Sequence, residues 1–128
     1  MPNKEQLQMK NLTLLKCKIH RATVTEADLN YEGSVSIDTR LIEACGLLCY
    51  EQVDIYNVNN GNRFTTYVIP GKPGEICLNG AAARMVHKGD LVIIAAYTSM
   101  PESLAKSHKP VCVFVDSANQ IQSIRDHG

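Results

Sequence analysis

Between Val53 and Ile69 the chain reads as two short strands folded back on one turn. Val53-Asp54-Ile55-Tyr56-Asn57-Val58 and Phe64-Thr65-Thr66-Tyr67-Val68-Ile69 are rich in β-branched and aromatic residues. Asn59-Asn60-Gly61-Asn62 separates them, and its Asn-Gly suits the positive φ angles of a tight hairpin turn. The same rhythm of short apolar runs and Gly, Pro or Asn punctuation fills the rest of the chain. Cys17 and Ile19 alternate with Lys16, Lys18 and His20, a period of two with one polar face. Pro70-Gly71-Lys72-Pro73-Gly74 is a second turn, leading into Ile76-Cys77-Leu78. Leu91 to Tyr97 and Val111 to Val115 read as fully buried strands, and Gln120 to Arg125 as a last edge strand.

Helices are few and short. Asp38 is placed to cap a helix whose stripe is Leu41, Ile42, Cys45 and Leu48. Pro101 to Lys106 and Ala81 to Met85 fit one turn each. A mainly β fold, a small barrel, is therefore expected rather than βαβ layering. With 128 residues and no linker the chain is expected to be one domain, 1–128, with a polar, mobile lead-in over 1–11.

The formal charge is zero, with no basic cluster, which argues against nucleic acid or an anionic membrane as partner. No run approaches the length of a membrane span. The five cysteines are scattered, without a Cys-x-x-Cys pair, and fit a reducing, cytoplasmic setting. Cys45 and Cys49 are four apart but lack companions at ligand spacing, so no metal site is expected.

Tyr31-Glu32-Gly33-Ser34 holds the bond with the most distinctive chemistry. A serine hydroxyl held against the preceding carbonyl carbon can shift the acyl group from nitrogen to oxygen. Elimination of that ester leaves dehydroalanine, and hydrolysis leaves a pyruvoyl ketone at a new N terminus. Gly33, without a Cβ, is free to adopt the strained conformation this needs. The same dipeptide also fits an ordinary turn.

Arg63 and Tyr67, four apart in a predicted strand, share one face. A guanidinium there would clamp a carboxylate and a phenol beside it would deliver a proton. An edge arginine and a packing tyrosine fit the same spacing. Thr66 has the opposite parity, so only a bulge or twist would bring it to Arg63. Asn79-Gly80-Ala81-Ala82-Ala83 has little side-chain bulk, which exposes backbone N–H groups to an anionic ligand or allows tight packing at a barrel corner.

Together these segments resemble the pyruvoyl-dependent aspartate 1-decarboxylases. The resemblance runs from about Leu14 to Pro110. It includes Lys18-Ile19-His20-Arg21-Ala22-Thr23-Val24-Thr25, Ala27 to Ser34, Ile55 to Tyr67, Asn79 to Ala83 and Gly89 to Ala95. It implies a double-psi β-barrel, assembled as a homotetramer with sites between subunits, and self-cleavage between Gly33 and Ser34. It implies conversion of L-aspartate to β-alanine and carbon dioxide, for pantothenate synthesis. By the same resemblance Ser34 becomes the pyruvoyl that forms a Schiff base with substrate, and Tyr67 is the proton donor. Lys18 and Arg63 hold carboxylate, while Thr66, Gly80, Ala81 and Ala82 bind substrate, with Thr66 also implicated in self-cleavage. His20, Tyr31 and Asn79 line the site.

The lead-in is longer than the family's usual start, the Pro70 to Gly74 turn is compact, and the tail beyond Pro110 resembles the family only loosely. A maturation helper, a related substrate such as glutamate, and an uncleaved barrel used as a binding or assembly module all remain open.

Overall fold

A computed structural model describes Asn3 and residues 10–127. The expected mobile lead-in, 1–11, falls mostly outside the described residues. Among the described residues nine strands form one sheet: β1 (Asn11–Thr23), β2 (Glu26–Asp28), β3 (Ser34–Asp38), β4 (Gln52–Asn57), β5 (Arg63–Gly71), β6 (Ile76–Asn79), β7 (Leu91–Pro101), β8 (Val111–Val115) and β9 (Ile121–Arg125). Their order is β2-β6-β3-β5-β4-β7-β1-β8-β9.

That order requires a curled sheet. β1 and β2 stand six places apart in it, which in a flat sheet is about 29 Å. Only Val24 and Thr25 join them, and three peptide units reach only about 10 Å. The sheet therefore closes on itself. Val24 donates its N–H to the Asp90 carbonyl and Thr25 donates to that of Ile76, each at 2.8 Å, which fastens the seam. This is the small, mainly β barrel expected from the sequence. Ile19, Val35, Ile37, Ile55, Val68, Leu78, Val92, Ile94 and Val113 fill it, all essentially inaccessible to solvent.

The hairpin of β4 and β5 pairs as expected, but its loop is longer than a tight turn, taking in Val58 to Asn62. Asn57 organises that loop. Its Oδ1 accepts from Asn59 N–H at 2.9 Å, while its Nδ2 donates to Asp90 Oδ2 at 2.9 Å. The 70–74 segment is less of a turn than expected, because Pro70 and Gly71 still belong to β5 and pair with β3. Proline is tolerated there because the ladder with β4 has already ended at Tyr67. β7 is not buried throughout: Ile93 is half-buried and Tyr97 is 43% exposed, since its outer face is not covered within the chain.

Helix α1 (Thr39–Cys45) begins and ends for local reasons. Asp38 Oδ1 accepts from the Arg40 N–H at 2.8 Å, and Gly46, in the left-handed region, closes the C-terminus. Because the helix stops there, Leu47 and not Leu48 packs into the core, and Leu48 is exposed. Cys45 is buried and Cys49 exposed, so the two do not share a face. A 3-10 turn spans Gly80–Met85 and a single α turn Glu102–Ala105. No helix among the described residues is long and apolar enough to cross a membrane.

Asp38 is buried and its carboxylate also receives Arg40 Nη2 and the Gly74 N–H, each at 2.7 Å. The Arg40 contact chiefly, helped by those N–H groups, lowers its pKa to about 2. A carboxyl with a folded pKa below its unfolded value stabilises the fold above about pH 4. That stability is lost as pH falls toward 2. The shift corresponds to about 2 kcal/mol. Thermal unfolding across pH 5 to 2.5 should show this loss, and Asp38→Asn should flatten it while lowering stability at pH 7.

Candidate active site

Ser34 opens β3, and alternation decides where it points. Val35 and Ile37 face the core, so Ser34 and Ser36 face outward. Even so Ser34 is only 1% exposed. The opposite residue on β6 is Asn79, and its side chain covers both serines. Asn79 Nδ2 donates to Ser34 Oγ at 2.9 Å and to Ser36 Oγ at 3.0 Å. The Ser34 hydroxyl donates in turn to the Glu32 carbonyl at 3.0 Å.

Cys77, two residues before Asn79 on the same face of β6, completes the cluster. Its Sγ donates to Asn79 Oδ1 at 3.2 Å. Burial, and then the carboxylates of Glu75, Asp28 and Glu26, push the thiol pKa up, so the thiol keeps the proton it donates. The thiol thus turns the amide so that its NH₂ faces the serines. Ser36 and Cys77 were not among the sequence candidates. The signal was present in the alternation Ser34-Val35-Ser36 opposite Cys77-Leu78-Asn79, but it needs the β3–β6 register to be read.

The steric demand near the Gly33–Ser34 bond lies on Gly80, not on Gly33. Gly33 is outside the left-handed region, and a Cβ there would meet only the Asn79 carbonyl oxygen, at 4.0 Å. Gly80 has φ of +63°, and a Cβ on it would come within 2.7 Å of both Gly33 Cα and Gly33 N. It would also lie 2.9 Å from the Tyr31 carbonyl oxygen. Any side chain at 80 would displace the segment that presents the bond. Ala81 and Ala82 follow in the 3-10 turn, Ala81 exposed and Ala82 half-buried against the core.

An open groove of about 530 Å³ runs beside this cluster, lined by Tyr31, Ser36, Ile69, Lys72, Cys77 and Asn79 among others. It gives a small ligand access to the outer face of β3 and β6.

Of the remaining candidates, Lys18, Arg63 and Tyr67 lie on the outer face of the neighbouring strands. Across the ladders Lys18 pairs with Ala95, Ala95 with Asp54 and Asp54 with Thr65. Paired residues share a face, so Lys18 lies on the same side as Arg63, Thr65 and Tyr67. The β4–β5 ladder runs from Tyr67 to Arg63 without a register shift. No bulge therefore brings Thr66 round, and it keeps the parity of Phe64 and Val68, toward the core. His20 packs on Phe114, with ring centroids 5.0 Å apart. Its Nδ1 is buried without a partner among the described residues. Burial first, and then the cations Lys18, Arg21 and Arg125, lower its pKa. Among the described residues, no hydrogen bond joins the Ser34 cluster to Lys18, Arg63 or Tyr67. Nor do three or more His, Cys, Asp or Glu side chains gather there as if to hold a metal.

The arrangement thus comprises a buried serine hydroxyl beside a glycine carbonyl, with two cations and a phenol on the outer face of the neighbouring strands. The family model for aspartate decarboxylase matches residues 9–122, further in both directions than the motifs alone suggested. The chain is 64% identical to an aspartate 1-decarboxylase of Bdellovibrio bacteriovorus, over 90% of this chain and 93% of the relative. It is 68% identical to one from Syntrophus aciditrophicus, over 85% and 96% of the two chains. A third, from a Hydrogenobaculum species, is 60% identical over 88% and 90%. The chain belongs to the aspartate decarboxylase family.

Proposed function

We propose that this chain is a self-processing, pyruvoyl-dependent enzyme that converts L-aspartate to β-alanine and carbon dioxide, within pantothenate synthesis in the cytoplasm. One observation carries the reading: the Ser34 hydroxyl, buried and oriented by Asn79, beside a Gly33 whose backbone is cradled by Gly80. An ordinary turn serine is solvated and needs no such enclosure. The cradle fits a ketone at position 34, since the Asn79 amide N–H groups point at that site. The ketone supplies the electron sink for the charge left when carbon dioxide departs.

The chain's own residues do the rest. Arg63 holds the side-chain carboxylate of the substrate, because a cation paired with the departing carboxylate would stabilise the ground state and oppose its loss. Lys18 adds positive charge on the same face. Tyr67 returns a proton at the α-carbon. The backbone of Gly80, Ala81 and Ala82 faces the substrate, and His20 and Tyr31 line the site. The β3–β5 register pairs Val35 with Val68. Continued two residues back, it brings Gly33 alongside Thr66, which supports a part for Thr66 in self-cleavage.

Arg63 is exposed, and no hydrogen bond among the described residues ties it to the Ser34 cluster, which supports a site completed between copies of the chain, as in a homotetramer. Exposed Leu48 and Tyr50 support it too, since the Tyr50 ring lies 6.0 Å from that of Tyr67 and leaves an apolar surface there. Each copy is one barrel domain.

Release of carbon dioxide and β-alanine from L-aspartate tests the reading. In Tyr67→Phe the chain should still be cut between 33 and 34, with KM within a few-fold. Its kcat should fall roughly a hundredfold or more, the usual scale for a positioned proton donor. Full kcat in that variant would remove Tyr67 from the chemistry.

A further inference from the structure

Under Arg63 lies an arrangement of side chains that no motif indicated. Tyr56 stands directly opposite Arg63 across the β4–β5 ladder. The Arg63 guanidinium carbon lies 4.2 Å from the centroid of the Tyr56 ring, well within cation–π range. The Tyr56 hydroxyl meets that of Tyr97, on β7, at 2.7 Å. A second contact, from Tyr56 Oη to Asp54 Oδ2, is 3.5 Å and so much weaker. Asp54 is in turn held through Oδ1 by the Thr65 hydroxyl at 2.7 Å. Tyr97 is thus the principal anchor of the ring on which Arg63 rests.

We propose that Tyr97 is a positioning residue for substrate binding: its hydroxyl fixes the Tyr56 ring as a platform that holds Arg63 ready for a carboxylate. The inference rests on the reading of Arg63 as the carboxylate-holding residue. Arg63 is exposed, on a long side chain with many rotamers. Ordering such a side chain on binding costs roughly a two- to tenfold factor in affinity. A guanidinium already stacked before the ligand arrives escapes most of that factor. The Tyr56 hydroxyl, and then burial, push the Tyr97 pKa up to about 12, so the Tyr97 phenol stays uncharged at neutral pH. Tyr97 thus adds no charge of its own to compete with the substrate for Arg63.

The test uses the cleaved enzyme and four variants: Tyr97→Phe, Tyr56→Phe, the double Phe variant, and Arg63→Met. Each Phe change keeps a ring and removes one hydroxyl, and thermal midpoints check that the fold persists. Tyr97→Phe should raise KM for L-aspartate about three- to tenfold, with kcat within twofold. The inhibition constant of succinate, which has two carboxylates and no amine, should rise in parallel. Tyr56→Phe should do the same, and the double variant should be no worse than either single, because both remove one shared contact. Arg63→Met should raise KM further than any of them. A normal KM in Tyr97→Phe, beside a raised one in Arg63→Met, would overturn the platform and leave the reading of Arg63 intact. Effects that multiply in the double variant would also overturn it. A normal KM in Arg63→Met would overturn the carboxylate role itself, and the platform with it.

Discussion

Ser34→Ala is expected to leave one uncut chain of 14.1 kDa with no decarboxylase activity and a nearly unchanged fold. The first half follows from the chemistry. Without Oγ nothing is positioned to attack the Gly33 carbonyl, and the proximity of that oxygen is worth up to about 7–11 kcal/mol of barrier. The second half follows from the hydrogen bonds. Asn79 Nδ2 keeps its bond to Ser36 Oγ when Ser34 Oγ is removed, so the buried amide is not orphaned. The Glu32 carbonyl loses its donor, which costs on the order of 1 kcal/mol. Ser36→Ala is the matching control. It removes the other hydroxyl bonded to Asn79 but leaves the nucleophile, so cutting should persist. Intact mass and thermal unfolding on the two variants check both halves.

The second large effect is expected at Gly80. Gly80→Ala must accept a left-handed φ, at about 1–2 kcal/mol, and also drive a Cβ to 2.7 Å from the Gly33 backbone. Gly46→Ala carries the first penalty without the second, since Gly46 has φ of +71° and open space around its Cβ position. Both variants should lose stability, Gly80→Ala by more. Only Gly80→Ala should also slow self-cleavage, by tenfold or more, because the displaced segment is the one that presents the carbonyl to Ser34. The time course of cutting at fixed temperature separates them. Equal cleavage rates in the two would mean that the close approach of Gly80 to Gly33 does not matter for the reaction.

Much of this was legible in the sequence wherever the signal was local. The hairpin, the Asp38 cap, the β9 edge and the alternation of β1 each depend on neighbours a few residues apart, and they stand where expected. The readings that failed concern relations the chain does not state locally. Gly33 reads as the glycine free to take a strained conformation, yet it is Gly80, 47 positions on, that is left-handed and lacks room for a Cβ. Leu91 to Tyr97 read as wholly buried because composition does not say which face of β7 meets the core. Thr66 was correctly placed opposite Arg63 in parity, and the unbroken β4–β5 ladder keeps it there. The Cys77–Asn79–Ser34 chain of bonds needed the β3–β6 register, which joins residues 43 to 45 positions apart. The Tyr56–Arg63 pair was accessible in principle, because the hairpin fixes its own register once the loop length is known.

The most direct test of the central claim is the intact mass of the purified protein under denaturing conditions. Two fragments divided between Gly33 and Ser34 are expected, the larger lighter by one ammonia than a serine start requires. A single uncut chain after prolonged warming, or a larger fragment beginning with unmodified serine, would contradict it.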